Sequence, residues 1–269
     1  EATGDAYRLV RVRAAATLAA IPLEQFAEEQ RAQVQHAVAE LLASLHALPD
    51  DYASHYNLGN FHMERFERER ALESYQTAIK LRPDFVAPHV NMAFVYNAMG
   101  DNDKAETSFR KALTIDPNIA VVQLNLGMLL GELNRSKEAE QAFRAAWHAD
   151  PNLAAAAYNL GVLLAEDRPA EGLDWCRKAF RLRPNDGRYG YTYAFFLHRQ
   201  GQSSRATAVL EGMVGRRVPY ADTYALLGSI YLGRGEIERA AGVYRAAAAN
   251  ESLDPRTRQA FEAMMKRIE

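Results

Sequence analysis

The sequence predicts an all-α solenoid of six helix pairs with capping helices at both ends, and three observations predict it. Asn57, Asn91, Asn125 and Asn159 recur every 34 residues, inside the triplets Asn57-Leu58-Gly59, Asn91-Met92-Ala93, Asn125-Leu126-Gly127 and Asn159-Leu160-Gly161. Prolines close successive units at Pro83, Pro117, Pro151 and, one residue early, Pro184. Midway through the units stand Gly100, Gly201 and Gly235, with Asn134 in the same place in the third, where a left-handed residue lets one helix turn back on another. A period of this length marks stacked helical units, each burying its apolar face only against its neighbours.

Residues 1–50 lie outside the register. Val10, Ala14, Leu18 and Ile21 fall at helical spacing and predict a helix over Asp5–Ala20. Pro22 ends it and suits the first turn of a second helix, Leu23–Ala47, which runs through Phe26, Val34, Val38, Leu41, Leu42 and Leu45. The six units then span 52–85, 86–119, 120–153, 154–186, 187–220 and 221–252, within an array of 51–252. At each junction Pro83-Asp84, Pro117-Asn118, Pro151-Asn152 and Pro184-Asn185 stop one helix and offer a capping side chain to the next. Small residues in each unit admit a close helix approach, and large ones fill the space beside them. Asp254-Pro255 opens a last helix in 253–269 through Phe261, Met264, Met265 and Ile268, with Lys266 and Arg267 in its final turn.

Composition narrows the function classes. The 269 residues carry 32 Lys and Arg against 34 Asp and Glu, a net charge of −2. Near-balance argues against a nucleic-acid partner, which needs a basic stripe. No run approaches the ~18 apolar residues of a membrane span, so a soluble chain without membrane insertion is expected, cytoplasmic or periplasmic. The start Glu1-Ala2-Thr3-Gly4 reads as a fragment or a processed chain. With Cys176 alone no internal disulfide can form. Cys176 follows Trp175 at a packing position and reads as a core thiol, not a nucleophile. His55, His62 and His89 fall at packing positions without a carboxylate placed beside them, so a metal site is not expected. There is no Cys-x-x-Cys-His haem attachment and no glycine-rich phosphate loop. No cofactor, metal or catalytic constellation is expected, and the chain does not read as an enzyme.

The array resembles the tetratricopeptide repeat family, which has a large residue at repeat position 4, Leu-Gly at 7–8, an aromatic at 11, Ala at 20, an aromatic at 24, Ala at 27 and Pro at 32. The first unit shows His55, Leu58, Gly59, His62, Ala71, Tyr75, Ala78 and Pro83; the second His89, Met92, Ala93, Tyr96, Ala105, Phe109, Ala112 and Pro117. The fourth departs with Gly172 and Cys176, the fifth is degenerate, and the sixth recovers with Tyr224, Leu227, Gly228, Tyr231, Ala240, Tyr244 and Ala247 but lacks the proline. The resemblance implies a right-handed α-solenoid that binds a peptide or protein segment in a concave groove lined by the first helices. Over Leu9–Leu18 the chain resembles a HEAT repeat, and a plain helical cap is the other reading of that stretch.

Carried over position by position, the groove residues implied are Tyr56, Asn57, Asn60, Asn91, Phe94, Asn125, Met128, Tyr158, Asn159, Arg188, Tyr191, Phe195, His198 and Arg199. The four asparagines would form a row able to pair with a peptide backbone without reading its sequence, similar to the asparagine row of O-linked N-acetylglucosamine transferase. The alternative is that they bond within the helix layer. Arg188, His198 and Arg199 beside Tyr191 and Phe195 would make a basic, aromatic end suited to a carboxylate. The clamp by which some family members bind chaperone tails is incomplete. Asn60 and Asn91 match it, but Tyr56, Val121 and Asn125 stand where basic side chains are required. An interaction scaffold is therefore expected. The rivals are a self-association module and the non-catalytic region of a larger protein, since HEAT-like then tetratricopeptide segments resemble the C-terminal region of some bacterial multihaem cytochrome-type proteins.

Overall fold

The computed structural model describes residues 11, 14, 15, 17, 18 and 21–268. It divides into two compact units, Glu1–Val122 and Gln123–Glu269. All regular structure among the described residues is helical.

In the first unit, Arg11, Ala14, Ala15, Thr17 and Leu18 are helical; the remainder of the expected Asp5–Ala20 helix, and of the HEAT-like run, lies outside the described residues. Ala15 is buried with Ala37, Leu41, Leu58 and Phe61, and the Arg11 guanidinium meets the Glu40 carboxylate at 2.7 Å. The expected Leu23–Ala47 helix is shorter. Pro22 leads into a single 3-10 turn, Leu23–Gln25, then Phe26 is extended and α1 runs Glu28–His46. The Arg31 side chain explains the break: its Nε donates to the Phe26 carbonyl at 3.1 Å and its Nη2 to that of Glu24 at 3.3 Å. Those carbonyls turn outward to a cation instead of entering a helical ladder.

Four more helices complete this unit: α2 (Tyr52–Glu64), α3 (Arg68–Leu81), α4 (Val86–Ala98) and α5 (Asn102–Ile115). The second unit holds most of α6 (Ala120–Glu132), then α7 (Ser136–Ala149), α8 (Ala154–Leu164), α9 (Pro169–Leu182), α10 (Gly187–Arg199), α11 (Ser203–Gly215), α12 (Ala221–Gly233), α13 (Ile237–Ala248) and α14 (Pro255–Ile268).

Large side chains set against small ones bring the partners together. The Tyr75 ring of α3 covers Gly59 of α2 so closely that a Cβ there would collide with it, and Tyr244 covers Gly228 in the same way. A Cβ on Gly127 would meet the Phe143 ring at 2.6 Å. In the pair α8–α9 the aromatic is replaced by Cys176. There a Cβ on Gly172 would stand 2.8 Å from the Gly161 carbonyl, so the two backbones themselves nearly touch. Ala71, Ala78, Ala105, Ala112, Ala139 and Ala146, the small residues of the second helices, are fully buried. On α7 and α9 Trp147 and Trp175 meet edge to face at 5.3 Å, and the Lys178 ammonium lies 3.4 Å from the Trp175 ring centre.

The turns between paired helices are left-handed, at Gly100 (φ 79°), Asn134 (φ 59°), Gly201 (φ 75°) and Gly235 (φ 74°). In the first pair Phe66, 79% exposed, takes this place at φ 60°, a strained conformation for a bulky residue. Three of the proline junctions, at Pro83, Pro151 and Pro184, differ from expectation. Asp84 ion-pairs with Arg82 at 3.2 Å, and the α4 and α8 N-caps, Phe85 and Leu153, have no side-chain cap. Asp150, before its proline, instead accepts from the Asn152 N–H at 2.9 Å, and Asp186, not Asn185, caps α10. A carboxylate two residues ahead of the amide closes a tight Asx turn, which the expected asparagines cannot reach. Asp254 does cap α14, accepting from the Thr257 N–H at 3.0 Å.

Candidate functional site

The residues expected to bind all lie on first helices: Tyr56, Asn57 and Asn60 on α2, Asn91 and Phe94 on α4, Asn125 and Met128 on α6, Tyr158 and Asn159 on α8, and Arg188, Tyr191, Phe195, His198 and Arg199 on α10. Tyr56, Asn57, Asn60, Asn91 and Phe94 belong to the first unit and the others to the second.

In the first unit the polar groups turn to each other. The Asn91 Nδ2 donates to the Asn60 Oδ1 at 2.8 Å and lies 3.3 and 3.4 Å from the hydroxyls of Tyr75 and Tyr56. The Tyr75 hydroxyl donates to the same Asn60 oxygen at 2.8 Å. The network thus ties α2, α3 and α4 together, and burial pushes the Tyr75 hydroxyl up to about 12, so it stays a neutral donor at ordinary pH. Tyr56 packs against Phe85 at 5.1 Å. Phe94 packs edge-on against Phe109 at 5.5 Å while remaining 41% exposed, and Asn57 is exposed.

In the second unit the Asn159 Nδ2 donates to the Ala155 carbonyl of its own helix at 2.9 Å. Asn125 is half-buried and Met128 is 43% exposed. Asn91 and Asn159 thus use their amide donors inside the fold in different ways, one across helices and one within its own helix.

The α10 residues form a distinct cluster. The exposed Arg188 guanidinium lies 5.3 Å from the Tyr158 ring centre and 5.5 Å from that of Tyr189, two rings that are 4.9 Å apart. No carboxylate stands within ion-pair distance of it among the described residues. Tyr191 stacks on Phe195 at 5.9 Å and meets Tyr220 at 5.6 Å. Burial, then the Asp222 carboxylate, raises the Tyr191 and Tyr220 hydroxyls, so both are neutral. Arg199 lies over Phe195 at 5.8 Å and is ion-paired to Glu166 at 2.7 Å, while the His198 Nδ1 is 2.9 Å from the Ser203 hydroxyl. Of the two arginines expected at this end, Arg199 is ion-paired, whereas Arg188 is held by tyrosine side chains without a carboxylate partner among the described residues.

Three participants escaped the sequence reading. Tyr75 was expected as a packing ring, and its hydroxyl role was not legible. Tyr189 sits buried at a core position. Tyr220 precedes α12, and its side chain crosses Gly187 so tightly that a Cβ there would overlap it. The available signal was glycine as the first residue of its unit, where other units begin with Tyr, Val or Ala.

The remaining candidates for chemistry have structural partners. Cys176 is buried and its thiol is pushed up to about 12 by desolvation, which removes its nucleophilicity. The His55 Nε2 is 2.8 Å from the Pro49 carbonyl, and the His62 Nδ1 is 2.7 Å from the Glu67 carboxylate. Among the described residues no three His, Cys, Asp or Glu are disposed to hold a metal, and no helix is long and apolar enough to cross a membrane.

Stacked helix pairs whose first helices carry the exposed aromatic and polar groups define a helical-repeat interaction scaffold. The chain belongs to the tetratricopeptide repeat family: tetratricopeptide models match residues 84–146, and 124–187 with 197–255, and a TPR repeat model matches 67–100. Among solved structures, a tetratricopeptide repeat protein from Parabacteroides merdae shares 20% identity and a TM-score of 0.55, over 94% of this chain and 99% of that one. PilF of Pseudomonas aeruginosa shares 22% identity and a TM-score of 0.60, over 79% and 97%. YrrB, described as a TPR protein with an unusual peptide-binding site, shares 21% identity and a TM-score of 0.54, over 71% and 99%. At these identities the likeness is one of fold. No curated protein matches the chain.

Proposed function

We propose that the chain is an adaptor that holds a peptide or protein segment of a partner against its first helices, and that the α10 cluster reads a carboxylate on that segment. The observation that carries this reading is Arg188, an exposed guanidinium fixed over Tyr158 and Tyr189 with no acidic partner among the described residues. A guanidinium has five N–H donors, so one held against tyrosines can still present a pair of them to a side-chain or terminal carboxylate. Tyr191, Phe195 and Tyr220 offer apolar contact beside it. In the first unit the exposed Phe94 and Asn57 are the corresponding contacts, whereas Asn91 holds the helix layer in place. A peptide site is also described for YrrB, which shares the fold.

The test is a peptide-display selection on the wild type, on Arg188→Ala and on Asn91→Ala/Asn125→Ala. Acidic segments should be enriched by the wild type and lost by Arg188→Ala. Enrichment of the same acidic segments by Arg188→Ala would sink the carboxylate reading, and no enrichment by the wild type would sink the peptide reading altogether.

A further inference from the structure

A second candidate site lies away from the first-helix positions that face the proposed peptide. In the first unit, α3, α4 and α5 line an open cavity of about 510 Å³. The residues from α4 are His89, Met92 and Tyr96, at different positions on that helix from Asn91 and Phe94. Met92 and His89 are buried and Ile79 and Tyr96 are half-buried, so the cavity has an apolar floor. Three exposed lysines line it, Lys80, Lys104 and Lys111, against a single carboxylate, Asp103.

The charge is only partly neutralised. The Lys104 ammonium is 2.6 Å from the Asp101 carboxylate and 5.4 Å from the Tyr96 ring centre. Lys80 and Lys111 have no carboxylate partner among the described residues. His89 senses the imbalance: burial first, then the Lys111 charge, makes its imidazole harder to protonate. The volume falls in the ordinary range for small-molecule sites, and an apolar floor with a few charges of one sign suits one kind of guest.

We propose that this cavity binds a small amphiphilic organic anion, its carboxylate or phosphate head paired with Lys80 and Lys111 and its aromatic or aliphatic body on Ile79, Met92 and Tyr96. Such a ligand supplies the negative charge that the lining lacks and covers the apolar floor. Because Phe94 and Asn91 are not among the lining residues, the site can be occupied without covering them.

Amide-resolved NMR titration of the full chain tests this with phenylbutyrate as the probe. Its neutral amide and phenylbutylammonium serve as charge controls, and phenyl phosphate compares the two head groups. Saturable shifts should centre on Met92, Tyr96, Thr107 and Lys111, with the carboxylate binding roughly tenfold more tightly than the amide, the scale of two partly exposed ion pairs. Lys80→Glu/Lys111→Glu changes only exposed side chains; its circular dichroism should match the wild type while carboxylate binding falls about tenfold. Equal binding of the carboxylate, amide and ammonium would overturn the proposal. So would shifts centred elsewhere, undiminished binding by the folded double variant, or no saturable response from the wild type.

Discussion

The polar groups of the two units are put to opposite ends. In the first unit Asn60, Asn91 and Tyr75 spend their hydrogen-bonding capacity on one another, and the result is a tie between three helices. In the second, Arg188 lies against two tyrosines with no carboxylate within ion-pair distance among the described residues, and the tyrosines hold it. Asn91 and Asn159 share a repeat position, yet one bonds across helices and the other within its own, so recurrence establishes where a residue sits and leaves open what it does. The neighbours decide: the Asn60 oxygen captures the Asn91 amide, whereas no carboxylate among the described residues engages Arg188.

The comparison can be broken most severely at Gly187. Gly187→Leu should displace Tyr220 from its seat and cost about 3 kcal/mol, the upper part of the usual range for overpacking, with loss of acidic-peptide binding. Urea unfolding followed by circular dichroism measures the first effect and a peptide titration the second. Asn91→Leu should cost about 2 kcal/mol because it strands polar groups of the first-unit network. If that variant is as stable as the wild type, the network is not the tie described above. Tyr75→Phe keeps the ring over Gly59 and removes one donor, for about 1 kcal/mol.

Tyr75 also carries a pH signature. Its pKa is raised on folding from 10.0 to about 12, so its contribution is fully present below the unfolded value and is lost as pH rises from 10 toward 12. The stability gap between wild type and Tyr75→Phe should narrow over that window, and denaturant midpoints at a series of alkaline pH values will show whether it does. The smallest expected stability effect is Arg188→Ala, within about 0.5 kcal/mol, because its side chain is exposed. Its effect belongs to binding, and a melting temperature equal to wild type with weakened capture of an acidic peptide would sharpen the contrast with Asn91.

Much of the fold was legible because the repeat pattern is a packing rule. Glycine at one position and a large ring at another, as in Gly59 and Tyr75, predict close helix pairs, and the left-handed turns at Gly100, Asn134, Gly201 and Gly235 follow from residue type. Phe66 was illegible for the same reason: it breaks the rule, and the surrounding hairpin enforces the turn regardless. The end of the 3-10 turn near Pro22 was missed because the side chain responsible, Arg31, acts back on residues several places earlier. At the candidate site, the helix positions could be assigned from the period, but partners could not. Asn91 bonds to Asn60, 31 residues away, and Tyr220 packs on Gly187 across a full unit, so periodicity alone cannot say which donors remain free.

The chain's two tryptophans, Trp147 and Trp175, sit edge to face on α7 and α9. Both emitters thus report on one stretch of the second unit, and Lys178 over Trp175 makes their emission responsive to local charge. The first unit has none, so tryptophan emission excited at the red edge, where tyrosine does not absorb, reports on the second unit, whereas far-ultraviolet ellipticity sums over both. Without any label, superimposable denaturation curves from the two signals would mean that melting of the second unit accompanies melting of the whole. A fluorescence transition displaced from the ellipticity curve would show the repeats letting go in succession.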